Sequence, residues 1–126
     1  MLTFAAAAGG FFGAMCRYLM IRLLCYRRRI SPSTALIIIN CLGTFVLGTL
    51  MGDIANIKDE FEYALLTTGF CASFTTFSSF ARDLMDFFSK GAKWKMVRYW
   101  LLSFILGTGS VIVGLAAGNL LSEMRI

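Results

Sequence analysis

Seven hydroxyl side chains, Thr67, Thr68, Ser73, Thr75, Thr76, Ser78 and Ser79, fall within the fourteen residues from Thr67 to Phe80, and no charge interrupts them. Phe74, Phe77 and Phe80 recur every third residue through the same stretch. A helix gathers such rings on one drifting stripe and sets the hydroxyls on its flanks. The surroundings are apolar, where a polar group costs free energy unless it meets a partner, so hydroxyls there turn toward protein or a water-filled path. A single Ser or Thr in a membrane span ordinarily bonds its own helix carbonyl or ties two helices together. Half of fourteen positions exceeds that need and points to a path for a small polar solute. Two more residues belong to the same chemistry. Asn40 is a lone amide in Leu36-Ile37-Ile38-Ile39-Asn40-Cys41-Leu42-Gly43; it either bonds across helices or offers its NH2 hydrogens to a passing anion. Arg17 either snorkels to a headgroup or stands as a cation at a pore mouth.

The elements that must position these groups follow from composition. The chain has 126 residues, 58% hydrophobic and 15% charged, with mean hydropathy +0.74; a soluble domain is about a quarter charged. A bilayer crossing takes roughly 20 apolar residues, so the length holds four spans and little else. The reading is an all-α membrane protein, one four-helix domain over 1–126, with spans at about 2–26, 34–52, 61–81 (extending to 88) and 96–121. Gly9-x-x-x-Gly13, Gly48-x-x-x-Gly52 and Gly114-x-x-x-Gly118 would let helices approach closely. Ser31-Pro32-Ser33 breaks the chain, with Ser33 or Thr34 placed to cap the second helix. Gly69 and the hydroxyls predict a third helix broken near its middle, unwound around Cys71 to Thr75, where freed carbonyls could hold a cation. Four short helices bury little of themselves, so an oligomer is expected.

Several classes fall away. The net charge is +5, but the basic residues sit at span ends, where they meet lipid headgroups rather than nucleic acid. Histidine is absent, so no imidazole relay exists. Cys16, Cys25, Cys41 and Cys71 lie in or beside apolar runs without a Cys-x-x-Cys pair, and read as buried free thiols. No positive region precedes the first apolar run, so it reads as a span and not a cleaved leader. No nucleotide motif or catalytic constellation is present, which argues against an enzyme. With Arg17 and Arg82 set aside for their depth, Arg22, Arg27, Arg28, Arg29, Lys90, Lys93, Lys95 and Arg98 oppose only Lys58 and Arg125 across the four spans, eight against two. That bias predicts one-way insertion with both termini outside.

Thr67-Thr68-Gly69-Phe70-Cys71 ahead of Phe74-Thr75-Thr76-Phe77-Ser78-Ser79-Phe80 closely resembles the signature of the Fluc (CrcB) fluoride channel family. Gly13-Ala14-x-x-Arg17-Tyr18 resembles its first-helix motif, and Asn40-Cys41-Leu42-Gly43-Thr44-Phe45 with Gly48 resembles its second. Nearly the whole chain is covered. The resemblance implies an antiparallel dimer in a bacterial plasma membrane, forming a passive fluoride-selective channel that lowers cytoplasmic fluoride. It implies Phe77 and Phe80 as the paired rings of the path, Asn40, Thr76, Ser78 and Ser79 as donors along it, and Arg17 near a vestibule. It also implies a structural sodium ion, not transported, on the main-chain carbonyls of Ala72 and Thr75. The chain departs from the family at Ala72-Ser73 in place of Gly-Gly, where a left-handed backbone would be strained. It departs again at Ala35-Leu36 in place of Gly-Thr, and at Asp83 in place of Glu. The fourth-helix hydroxyl aligns with Thr108 or Ser110. The eight-to-two bias suits two-gene versions of the family, in which the partner is an oppositely oriented paralogue.

Two other classes compete. A small multidrug-type, proton-coupled exporter shares four short spans and antiparallel dimers, but needs a membrane carboxylate that the first span lacks, and Arg17 would repel its cations. A non-conducting partner subunit of a heterodimeric fluoride channel is the third class, and Ala72-Ser73 is the feature that bears on it.

Overall fold

The computed structural model describes residues 1–53, 57 and 59–125, which are helical apart from short connections. Helix α1 (Leu2–Arg22) runs into a π-helical turn at Leu23–Arg27, and α2 (Pro32–Gly52) follows. A short α3 (Glu60–Tyr63), a π-helical segment (Ala64–Cys71), α4 (Ala72–Phe74) and α5 (Phe77–Ser89) lead to α6 (Lys93–Arg125). In hydrocarbon every amide must be satisfied within the protein, which leaves helix as the natural state of such apolar runs. Among the described residues three helices are long and apolar enough to cross a bilayer: Leu2–Arg27, Pro32–Gly52 and Lys93–Met124. At a rise of about 1.5 Å per residue, the 21 residues of α2 match a core roughly 30 Å thick. The stretch between Glu60 and Ser89 is divided into shorter pieces.

Local chemistry explains the ends. Ser31, not Ser33 or Thr34, caps α2: its Oγ accepts from the Thr34 N–H at 3.3 Å. Pro32 then occupies the first helical position, where its missing N–H removes a donor that would have had no partner. Between α5 and α6, Gly91 adopts φ +70°. Its N–H donates to Phe88 O at 3.0 Å and the Ala92 N–H to Phe87 O at 2.9 Å, a Schellman closure that only glycine adopts without strain.

Glycines set the packing. Gly48 and Gly52 of α2 lie against the backbone of α6 at Val111 to Asn119, while Gly114 and Gly118 of α6 lie against Phe45 and Thr49. The paired positions rise together, so α2 and α6 run parallel with their backbones in contact. A Cβ at Gly48 would stand 2.5 Å from Val111 O. Gly9, Gly13 and Gly69 join α1 to the π-helical segment in the same manner. The core is small, built on Ala5, Ala35, Leu36, Ile39, Cys71 and Phe74. All four cysteines are free as expected, yet only Cys71 is buried; the others lie on helix faces that the chain covers incompletely. Lys58 lies outside the described residues, as does the side chain of Arg125.

The glycine contacts generate a stability prediction. Gly48→Leu should cost about 3 kcal/mol or more, because the facing group is backbone that cannot swing aside. Gly109→Ala, whose Cβ meets no atom within 4 Å, should leave the melting temperature of the detergent-purified protein near that of the wild type.

Candidate functional site

The chain leaves the helix at two residues. Thr75 has φ −79°, ψ 159° and Thr76 φ −151°, ψ 122°, both extended. Unwinding was expected around Cys71 to Thr75; Cys71 to Phe74 remain helical, and the departure begins at Thr75 and extends one residue beyond that stretch. A continuing helix would have closed the Thr76 N–H onto Ala72 O. Instead it donates to Asn40 Oδ1 at 3.0 Å, and Asn40 Nδ2 donates to Thr76 O at 3.4 Å. One side-chain amide thus meets both backbone groups of one extended residue, as a neighbouring strand would. The Thr76 N–H can pair only with an oxygen, so the amide's orientation is fixed. One Nδ2 hydrogen is left over.

Thr76 then starts the next helix. Its Oγ1 accepts from the Ser79 N–H at 3.4 Å, lies 3.2 Å from Ser78 Oγ and donates to Ser79 Oγ at 3.4 Å. Expected site residues Thr76, Ser78 and Ser79 therefore form one hydroxyl cluster at the N-terminus of α5. Thr67 and Thr75 do the ordinary thing: their hydroxyls donate to Tyr63 O at 2.6 Å and Cys71 O at 3.0 Å.

The break also splits the phenylalanine stripe, because two extended residues change the helical phase. Phe74 is buried and stacks on Phe70, with centroids 5.6 Å apart. Phe77 is 79% exposed and pairs with Phe80 at 5.9 Å and 47°. Phe80 leans on Tyr99 at 5.3 Å, and Tyr99, only 7% exposed, donates its hydroxyl to Asp83 Oδ2 at 3.3 Å. Asp83 thereby braces the ring on which Phe80 rests.

Asn40, Thr76, Phe77 and Phe80 line one cavity of about 380 Å³, together with Thr75, Thr44, Trp100 and Ser103. No charged side chain is in its wall. Arg17 lies on α1, half-buried, outside that lining and without an ion pair among the described residues. Thr108 is not in the wall either, and Ser110 faces a different hollow beside Cys41 and Phe45. Of the hydroxyls on α6, Ser103 is the one in this wall. Its buried Oγ has no hydrogen-bond partner, and it shares a helix face with Trp100 and Gly107, three and four residues away, which also line the cavity.

Comparison with known proteins places the chain in a family. The profile of the family described as CrcB-like protein, Camphor Resistance (CrcB), matches residues 4–115. A Dehalococcoides mccartyi protein named fluoride-specific ion channel FluC is 36% identical over 119 residues, covering 93% of this chain and 92% of that protein. The Methanopyrus kandleri protein of the same name is 34% identical over 126 residues, covering 96% and 92%. FluC 1 of Geobacillus kaustophilus is 36% identical over 115 residues, covering 90% and 94%.

The two polar groups of the cavity should behave oppositely on truncation. Asn40→Ala leaves the Thr76 N–H and C=O unpaired and should destabilise by about 1–3 kcal/mol. Ser103→Ala removes a hydroxyl that has no partner to lose, and should leave thermal unfolding unchanged or raise it.

Proposed function

The chain belongs to the CrcB family, and from that premise we propose that it is a passive, fluoride-selective channel that lets cytoplasmic fluoride leave down its electrochemical gradient. The observation that carries this reading is the Asn40 clip at Thr76, with one amide hydrogen to spare beside two phenylalanine rings and no fixed cation. Fluoride is small and strongly hydrated, so a selective path must replace water donors with protein donors. The free Asn40 hydrogen and the Thr76–Ser78–Ser79 hydroxyls can do so. The N-terminus of α5 adds partial positive charge where its first amides lack helical partners. Phe77 and Phe80, tilted by 47°, can turn their positive edges to an anion. A lysine or arginine in the wall would hold the ion too tightly for rapid exit, and none is there. Hydrogen fluoride crosses membranes as the neutral acid and dissociates inside. The membrane potential then drives the ion out with about 2.3 kcal/mol per 100 mV.

The break also suits a structural sodium ion. Ala72 O is released from the helical ladder because Thr76 gives its N–H to Asn40, and Thr75 O sits on an extended residue. Unwound carbonyls of this kind are the ligands a sodium ion takes at membrane depth. Ala72 adopts φ −64°, ψ −34°, so alanine in place of glycine introduces no strain. Ala72 and Thr75 are the residues that would hold the ion, which would offset anion desolvation and pin the two helix ends.

The segment 60–89 serves as a third, interrupted span in this reading, and the chain pairs with a second subunit of opposite orientation that covers the exposed Phe77. The eight-to-two basic bias supports an oppositely oriented paralogue as partner, with both termini of this chain outside the plasma membrane.

Two measurements test these assignments. In liposomes, fluoride efflux should fall by at least about tenfold in Phe77→Ile and Phe80→Ile, the rate equivalent of ~1.4 kcal/mol. Ethidium export without fluoride flux would replace the channel with a carrier, and flux seen only on co-expression of a homologous chain would make this one a partner subunit. A C-terminal alkaline phosphatase fusion should be active and a green fluorescent protein fusion at the same place dark; the reverse would refute the orientation.

A further inference from the structure

We propose that the groove between the starting turns of α2 and α6 binds the phosphate of an anionic phospholipid. The groove is a cavity of about 320 Å³ distinct from the Asn40 cavity. Its outer wall carries Ser31 and Thr34 from the start of α2, and Lys95 and Arg98 from the first turns of α6. Neither cation meets a carboxylate among the described residues. Lys90, by contrast, is held by Asp86 at 2.7 Å and is not in the wall. Ser31 Oγ and Thr34 Oγ1 lie 2.8 Å apart and share one hydrogen bond, which leaves one hydroxyl hydrogen for a ligand oxygen. Both helices begin at this end, so the positive ends of their dipoles add to the potential there.

The deeper wall is different. One turn further along α2 lies Ile37, and Tyr99 and Leu102 follow Lys95 on the same face of α6, with Phe87 closing the floor. Because α2 and α6 are parallel, both walls change from cationic and hydroxylic to apolar in the same direction. A phospholipid has that order: phosphate at the surface, acyl chain below. A free phosphate would engage the cations and leave the apolar floor unused. Exposed Trp94 flanks the cationic end, at the level where indoles sit among headgroups. The site does not depend on which solute the protein conducts.

The test uses the purified full-length chain in neutral detergent with three probes: phosphatidylglycerol, phosphatidylcholine and inorganic phosphate. Phosphatidylglycerol should raise the melting temperature and remain bound in native mass spectrometry. In the double variant Lys95→Gln/Arg98→Gln its apparent affinity should fall by about tenfold or more. The variant Arg28→Gln/Lys93→Gln loses the same charge at the same end but outside the groove, and should bind as the wild type does. Circular dichroism before lipid addition establishes that both variants are folded. Equal losses in the two double variants would reduce the effect to diffuse surface charge and overturn the proposal, as would an equal shift from phosphatidylcholine or from inorganic phosphate alone. Fluoride flux is no part of the readout, so failure here would leave the channel assignment standing.

Discussion

Inside hydrocarbon no water replaces a lost helical hydrogen bond, so a chain can abandon the helix only where something else meets its amides. At Thr76 one side chain does this for both backbone groups: Asn40 accepts at 3.0 Å and donates at 3.4 Å. Everything unusual about the site follows from that substitution. The extended pair Thr75–Thr76 re-aims the chain, so Phe74 packs into the core while Phe77, three residues on, stands outside it. The carbonyl of Ala72 is set free, a new helix start is created at Phe77, and the hydroxyls of Thr76, Ser78 and Ser79 gather around it.

Asn40 can reach Thr76 only if α2 is held in place, and the holding is done largely by absent side chains. Lipid tails are as apolar as leucine, so burial of apolar surface gives two helices little reason to associate in a membrane. Close backbone contact does, through dispersion. Gly48 and Gly52 facing Gly114 and Gly118 bring α2 and α6 together along their length. Ser103 consequently shares a cavity with Asn40, although the two lie far apart in sequence. The rings have their own support: Phe80 rests on Tyr99, which Asp83 and Phe87 hold from the other sides.

Much of this was legible from residue types alone. Apolar runs of bilayer length are helices, spaced glycines mark helix contacts, and an amide amid isoleucines had to have a partner. Those readings rest on costs so large in lipid that tertiary context cannot reverse them. The position of the break was less legible: glycine and hydroxyl density pointed at Cys71 to Thr75, but its site was decided by where Asn40 could meet a backbone. The cap of α2 was misplaced because Ser31, Ser33 and Thr34 are all good caps, and Pro32 at the first helical position decides among them. That Ser103 lines the Asn40 cavity was not legible, because a helix rich in Gly, Ser and Thr shows no clear face until its neighbour is placed. The α2–α6 register puts Ser103 and Asn40 in the wall of one cavity.

The closure at Gly91 has a consequence for how this protein can change over time. Three residues, Lys90 to Ala92, join α5 to α6, and the hydrogen bonds of their three amides leave little slack. Adding or deleting one residue there would break the closing hydrogen bonds of Gly91 and Ala92 and shift Tyr99 relative to Phe80. Point substitutions around the rings can be sampled one at a time, but length variation in this turn is closed to drift.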